Sequence, residues 1–173
     1  MHANGRSRPE VDFVGFTVTP TIFDAGFEAG LLVPSEQRTS AVERICRAVA
    51  DWASSRPDVC AVALVGSWAR GAATTASDLD LVILSDAPLL LTQRERWWEF
   101  LGDAEVICTQ AWGIAVEHRL RLPSGFEVEF TIAPRKWTDV PLDPGTRRVL
   151  SDGARFLFDP ERLLERAIAS LES

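Results

Sequence analysis

Two carboxylates one residue apart, Asp78 and Asp80, open the apolar run LDLVIL near the middle of this 173-residue chain. Along an extended strand, positions i and i+2 project to the same side. Both carboxylates therefore address one point, where a divalent cation that favours hard oxygen ligands can bridge them. Upstream, the run VCAVALV ends in Gly66-Ser67, and Ser67 lies eleven residues before Asp78. Such a turn can offer backbone N–H groups and a hydroxyl to phosphate oxygens beside the cation. Cation and phosphate side by side mean phosphoryl or nucleotidyl transfer.

A carboxylate pair usually needs a third acid, to hold a second ion and to attract the proton of an incoming hydroxyl. The segment GFEVEFTIAP puts Glu127 and Glu129 on one strand face and Val128 and Phe130 on the other. An acid on an otherwise apolar strand is costly unless it is paired or binds a metal. Glu129 lies deeper in the run and is the preferred third ligand. Glu127, nearer the turn, is the alternative. An ion pair with Arg119 or Arg121 on the neighbouring strand is the competing account of Glu129. Ser-Asp before a strand is also a common turn pairing. Asp78 and Asp80 therefore carry weight only together with Gly66-Ser67 upstream and Glu129 downstream.

Gly66, Ser67, Ser77, Asp78, Asp80 and Leu81, followed by an acid on a later strand, form a pattern that resembles the nucleotidyltransferase superfamily with its polymerase-β type palm. Val128–Ile132 (VEFTI) resembles the strand bearing the third carboxylate in aminoglycoside adenylyltransferases. The resemblance covers roughly residues 40–133. It implies two Mg²⁺ ions, replaceable by Mn²⁺, held by Asp78, Asp80 and Glu129, and a nucleotide held by Gly66, Ser67, Arg70 and Ser77. A nucleoside triphosphate, taken as ATP, would rest its β- and γ-phosphates on the Gly66-Ser67 turn. An acceptor hydroxyl would attack the α-phosphorus in line and pyrophosphate would leave. The implied acceptor is a small molecule, aminoglycoside-like, or a protein side chain. Only about forty residues follow Glu129, too few for the helical substrate domain of many antibiotic-modifying relatives. The acceptor would then bind between the N-terminal arm and the tail, at a homodimer interface, or on a partner protein. The alternatives are an antitoxin-like interaction protein of a toxin–antitoxin pair and a nucleotide-binding homologue without catalysis. No GxxxxGK[ST] loop supports a Walker-type site.

These residues need elements to position them. Ser35 can cap a helix running to about Ser54, with Val42, Ile45, Cys46, Val49 and Trp52 in one stripe. Val59–Val65 reads as a central strand, apolar on both faces. Gly66–Thr75 holds a tight turn and short helix, and Leu79–Leu84 is a second strand. A helix is expected from Thr92 to Leu101, ended by Gly102. Ala104–Thr109 should be a strand. Ile114–Leu122 and Phe126–Ala133 should pair as a hairpin through Pro123-Ser124-Gly125. Pro144–Ser151 reads as a helix and Arg155–Asp159 as a strand. Asp159 then caps a last helix opening at Pro160. The expected fold class is α/β (α+β): a mixed, largely antiparallel twisted sheet covered by helices. The expected organisation is an N-terminal arm, 1–34, then a single domain, 35–173, with a C-terminal helical tail.

Composition sets further bounds. Net charge is −7, from 18 Lys+Arg against 25 Asp+Glu, with no basic cluster. Such a surface disfavours bulk nucleic acid as a partner while leaving a single nucleotide possible. No apolar run is long enough to cross a bilayer, and MHANGRSRPE lacks the apolar stretch of a signal peptide. A cytoplasmic location is expected. Cys46, Cys60 and Cys108 read as buried reduced thiols. Trp97, Trp98 and Trp112 read as core, with stacking on a base or sugar as the lesser alternative, and His118 reads as a plain surface or cross-strand residue. Arg147-Arg148 could hold a phosphate or merely line a solvated helix face.

Overall fold

The computed structural model describes residues 33–172. The expected arm, 1–34, therefore lies outside the described residues except for its last two. Helix α1 (Glu36–Ser54) begins where extended Ser35 accepts the Arg38 N–H on its hydroxyl at 3.2 Å. Its apolar stripe buries Val42, Ile45, Cys46, Val49 and Ala53. Strand β1 (Val59–Val65) is buried at all seven positions. Short helix α2 (Gly66–Ala69) follows it directly, and β2 (Leu79–Ser85) returns beside β1. Helix α3 (Pro88–Gln93) and a 3₁₀ turn (Glu99–Leu101) lead to β3 (Glu105–Trp112). The hairpin of β4 (Ala115–Arg121) and β5 (Glu127–Pro134) comes next. Helix α4 (Pro144–Ser151), β6 (Ala154–Phe158) and α5 (Leu163–Ala169) complete the chain.

The six strands form one sheet in the order β3-β4-β5-β2-β1-β6. β2 and β5 run parallel, and every other neighbouring pair is antiparallel. This is the mixed, largely antiparallel sheet with covering helices expected from the element order. Strand alternation divides its side chains between two cores. Leu79, Leu81, Ile83, Val128, Phe130 and Ile132 pack with α1 and Trp97. Val65, Val82, Leu84 and Ala133 pack with Trp137, Leu150 and Leu164 on the opposite face. Phe130 is fully buried between Trp97 and Phe100 at edge-to-face angles, and truncating such a ring costs about 3–5 kcal/mol. Asp80 and Glu129 take alternate positions to Leu81 and Phe130, so they lie on the second face.

The expected helix Thr92–Leu101 is a correction. The helix starts at Pro88, whose fixed φ suits the first turn, and the Thr92 hydroxyl donates back to the Leu89 carbonyl at 3.1 Å. Arg96 then adopts φ 51, which breaks any continuation and lets Trp97 enter the core at 4% exposure. Asp159 does cap the last helix, but from a distance. Its carboxylate accepts the Leu163 N–H at 2.8 Å and the Glu165 N–H at 3.1 Å, so the helix opens three residues later than expected. Cys108 is exposed on edge strand β3, unlike buried Cys46 and Cys60. His118 is buried, not a surface residue. Trp97 donates its ring N–H to His118 Nδ1 at 3.2 Å, and burial holds the imidazole below its usual pKa. Among the described residues, no helix is long and apolar enough to cross a membrane.

Candidate active site

The site is built at one level of the sheet. Val65 of β1 pairs with Asp80 of β2, Asp80 with Glu129 of β5, and Glu129 with Arg119 of β4. Parallel register between β2 and β5 thus sets two acids from distant segments side by side. Asp78 stands just before β2, in a loop tied down from two directions. Ser77 donates its N–H to the Thr74 carbonyl at 3.1 Å, and its hydroxyl accepts the Thr74 N–H at 2.9 Å. Arg38 of α1 donates to the Ser77 carbonyl at 2.7 Å while its guanidinium lies 4.2 Å from the centre of the Phe126 ring. Ser77, expected at the nucleotide, closes the turn that holds Asp78.

One carboxylate oxygen each from Asp78, Asp80 and Glu129 lies within 4.8 Å of the others, with all three residues half-buried. Gly66 makes room for this convergence. Its φ is +69, and a Cβ there would stand 3.1 Å from Asp80 Cγ and overlap Asp80 Oδ2. Glycine is required both by the backbone and by the acid beside it. Ser67 follows in the first turn of α2, half-buried.

Crowding shows in the protonation of the acids. Burial, and next the charge of Asp78, push Asp80 up to about 6, against the pull of Arg119. Burial, and next a hydrogen bond with Asp78, push Glu129 up to about 8, although Arg119 touches it. The upward direction holds because a single guanidinium faces several converging acids. Three hard oxygen donors with a surplus of negative charge fit a cation of the Mg²⁺ class.

Glu129 has both partners that the sequence offered it. It stands in the acid cluster and also pairs with Arg119. Glu127 is bound instead by Arg121, at 2.9 and 3.3 Å, and lies outside that cluster. Arg70, expected at the phosphates, pairs with Asp152 at the end of α4. Trp112, expected in the core, is instead exposed at 57% on edge strand β3, and its ring N–H donates to Glu117 at 2.9 Å. Beside Asp80 and Gly66 opens a cavity of about 450 Å³ that reaches across to Trp137 and Arg148. Sequence reasoning did not join Thr131, Trp137 or Asp152 to this site. Thr131 was two positions from Glu129 and so on its face, which was the one available signal.

Residues 45–121 match the family model described as "Nucleotidyltransferase domain". Asp78 and Asp80 fall inside that segment, and Glu129 lies beyond it. None of the curated proteins compared matches the chain. Similar solved structures include a cytoplasmic RNA terminal U-transferase, at 18% identity and TM-score 0.46, covering 61% of this chain and 32% of that one. The Cid1 poly(U) polymerase is similar at 17% and 0.46, covering 61% and 35%. An aminoglycoside 6-adenyltransferase from Bacillus subtilis is similar at 16% and 0.40, covering 60% and 37%. This chain spans about a third of the length of those structures. The segment 45–121, which carries Asp78 and Asp80 and makes up less than half of the chain, is thus similar to a nucleotidyltransferase domain.

Proposed function

We propose that this protein is a Mg²⁺-dependent nucleotidyltransferase of the cytoplasm. It moves a nucleoside monophosphate, taken as AMP from ATP, onto a hydroxyl of a small molecule or protein. The observation that carries this reading is the convergence of Asp78, Asp80 and Glu129 within 4.8 Å, beside a glycine that clears their space. These three carboxylates would hold the divalent ions, and Mn²⁺ would serve in place of Mg²⁺. When bound, the ions supply charge neutralisation to the phosphates and to the attacking oxygen.

The chain's own residues bind and orient. Gly66 and Ser67 offer backbone N–H groups and a hydroxyl to the phosphates. Ser77 keeps Asp78 in place through its turn with Thr74. The acceptor oxygen forms a bond to the α-phosphorus as the bond to the β-phosphate bridge breaks and pyrophosphate departs. Glu129 stands at the cluster to take the hydroxyl proton. The acidic balance of −7 favours a compact acceptor over bulk nucleic acid.

The test is labelling of cell extract with α-³²P nucleotides, read separately for small molecules and proteins. Label is expected to need Mg²⁺ or Mn²⁺, to be strongest with ATP, and to vanish with D80N. Label that survives D80N, or failure of the wild-type protein to bind Mn²⁺, overturns the proposal.

A further inference from the structure

We infer that the polyphosphate of the nucleotide is received by Arg148 of α4, in the cavity between that helix and the acid-bearing sheet face, and not by Arg70. The inference rests on the nucleotide-transfer reading above and adds a residue from outside the segment that matches the family.

The cavity, about 450 Å³, has Gly66, Asp80 and Thr131 on one side and Trp137, Arg148 and Asp152 on the other. Its volume falls within the range of small-molecule sites, roughly 300–1,000 Å³. A polyphosphate bound through a cation at Asp80 would need space next to Asp80, and this cavity provides it. A polyanion in that space needs positive charge from the protein, and Arg148 is the one cationic residue lining it.

Arg148 is also available. Asp152 lies four residues after it, close to the i, i+4 spacing that pairs side chains on a helix. Asp152 instead binds Arg70 across the chain. Among the described residues, the Arg148 guanidinium has no ion pair. Its helix is firmly placed: Asp143 accepts the Gly145 and Thr146 N–H groups at 2.9 and 3.2 Å, and Thr146 and Leu150 are buried. An unpaired guanidinium on an anchored helix, beside a cavity that contains Asp80, suits a polyphosphate. Arg147, next to it on the same helix, does not line the cavity and is the internal control.

The test is calorimetric titration of the full chain with ATP and with inorganic tripolyphosphate in Mn²⁺ buffer. Free Mn²⁺ is followed separately by electron paramagnetic resonance. R148Q is expected to weaken both ligands about tenfold or more, R148E further, and R148K less than R148Q. R147Q should bind like wild type, and Mn²⁺ affinity without nucleotide should stay unchanged in R148Q. Wild-type affinity in R148Q and R148E, with Mn²⁺ and ATP still bound, overturns the role of Arg148 and leaves nucleotide transfer standing. An equal loss in R147Q overturns it too. If the wild-type chain binds neither Mn²⁺ nor ATP, the underlying reading fails instead.

Discussion

Arg119 of β4 and Glu129 of β5 stand directly opposite each other, and the guanidinium of one is in ion-pair contact with the carboxylate of the other. The same guanidinium lies 3.9 Å from Glu117 and from Glu127, and its Nε is buried without a partner. Arg119 is thus a built-in counter-charge at the edge of the acid cluster, with two other carboxylates within reach. A divalent cation at Glu129 would share that carboxylate with a neighbouring positive charge. Removing the charge should help the cation. R119Q is expected to bind Mn²⁺ several-fold more tightly than wild type, read by resonance titration of the free ion. Weaker binding in R119Q would show that Arg119 serves to orient Glu129 and not to compete for it.

The raised acids give the metal-free protein a defined pH dependence. Asp80 at about 6 and Glu129 at about 8 lie above their ordinary values of 3.8 and 4.5. Between those limits the folded protein holds more protons than the unfolded chain. Stability therefore falls as pH rises through the window from about 4 to about 8. In chelator, the melting temperature should be higher at pH 5 than at pH 8, and D80N/E129Q should flatten the difference. Adding Mg²⁺ should raise the melting temperature more at pH 8 than at pH 5, because protons and cation compete for the same oxygens. A metal-induced shift equal at both pH values would contradict a cation at these acids.

Gly66 separates two effects in one substitution. G66A puts a side chain at φ +69, where an L-residue is strained, and drives its Cβ into the Asp80 carboxylate. The backbone part costs about 1–3 kcal/mol, and the clash adds to it. In a double-mutant cycle, D80G should restore part of the stability lost in G66A, measured by denaturant unfolding. Simple additivity of the two changes would mean that the glycine is needed for its backbone alone.

Much of this architecture could be read from residue order, and the reason differs from element to element. The β1 strand and α1 announce themselves through local pattern: an unbroken apolar run and a 3.6-residue stripe behind a serine cap. Asp78 and Asp80 share a short segment, so their proximity was legible, although the loop before β2 and not the strand places Asp78. The placement of Glu129 beside Asp80 depends on parallel pairing of β2 with β5, and register between distant strands leaves no local trace. The same holds for Arg70, whose partner Asp152 comes 82 residues later. The helix expected at Thr92 failed for a local reason. Pro88 and the left-handed Arg96 redirect the chain so that Trp97 reaches the core, and tertiary burial outweighed a plausible cap.

Substitution of the two glutamates of β5 decides which is the third carboxylate. Both face the same side of the strand, and sequence could not choose between them beyond depth in the run. In the fold, Glu127 is held by Arg121 through two hydrogen bonds, whereas Glu129 reaches Asp78 and Asp80. E129Q is expected to lower Mn²⁺ affinity at least tenfold, as D80N should, because one charged ligand becomes a neutral amide. E127Q should bind Mn²⁺ within about twofold of wild type and lose only the small contribution of an exposed ion pair, about 0–1 kcal/mol. The titrations are compared in one buffer at pH 8, where the cluster is most ionised. If E127Q instead loses the metal and E129Q keeps it, Glu129 belongs to Arg119 alone and the ligand set must be redrawn around Glu127.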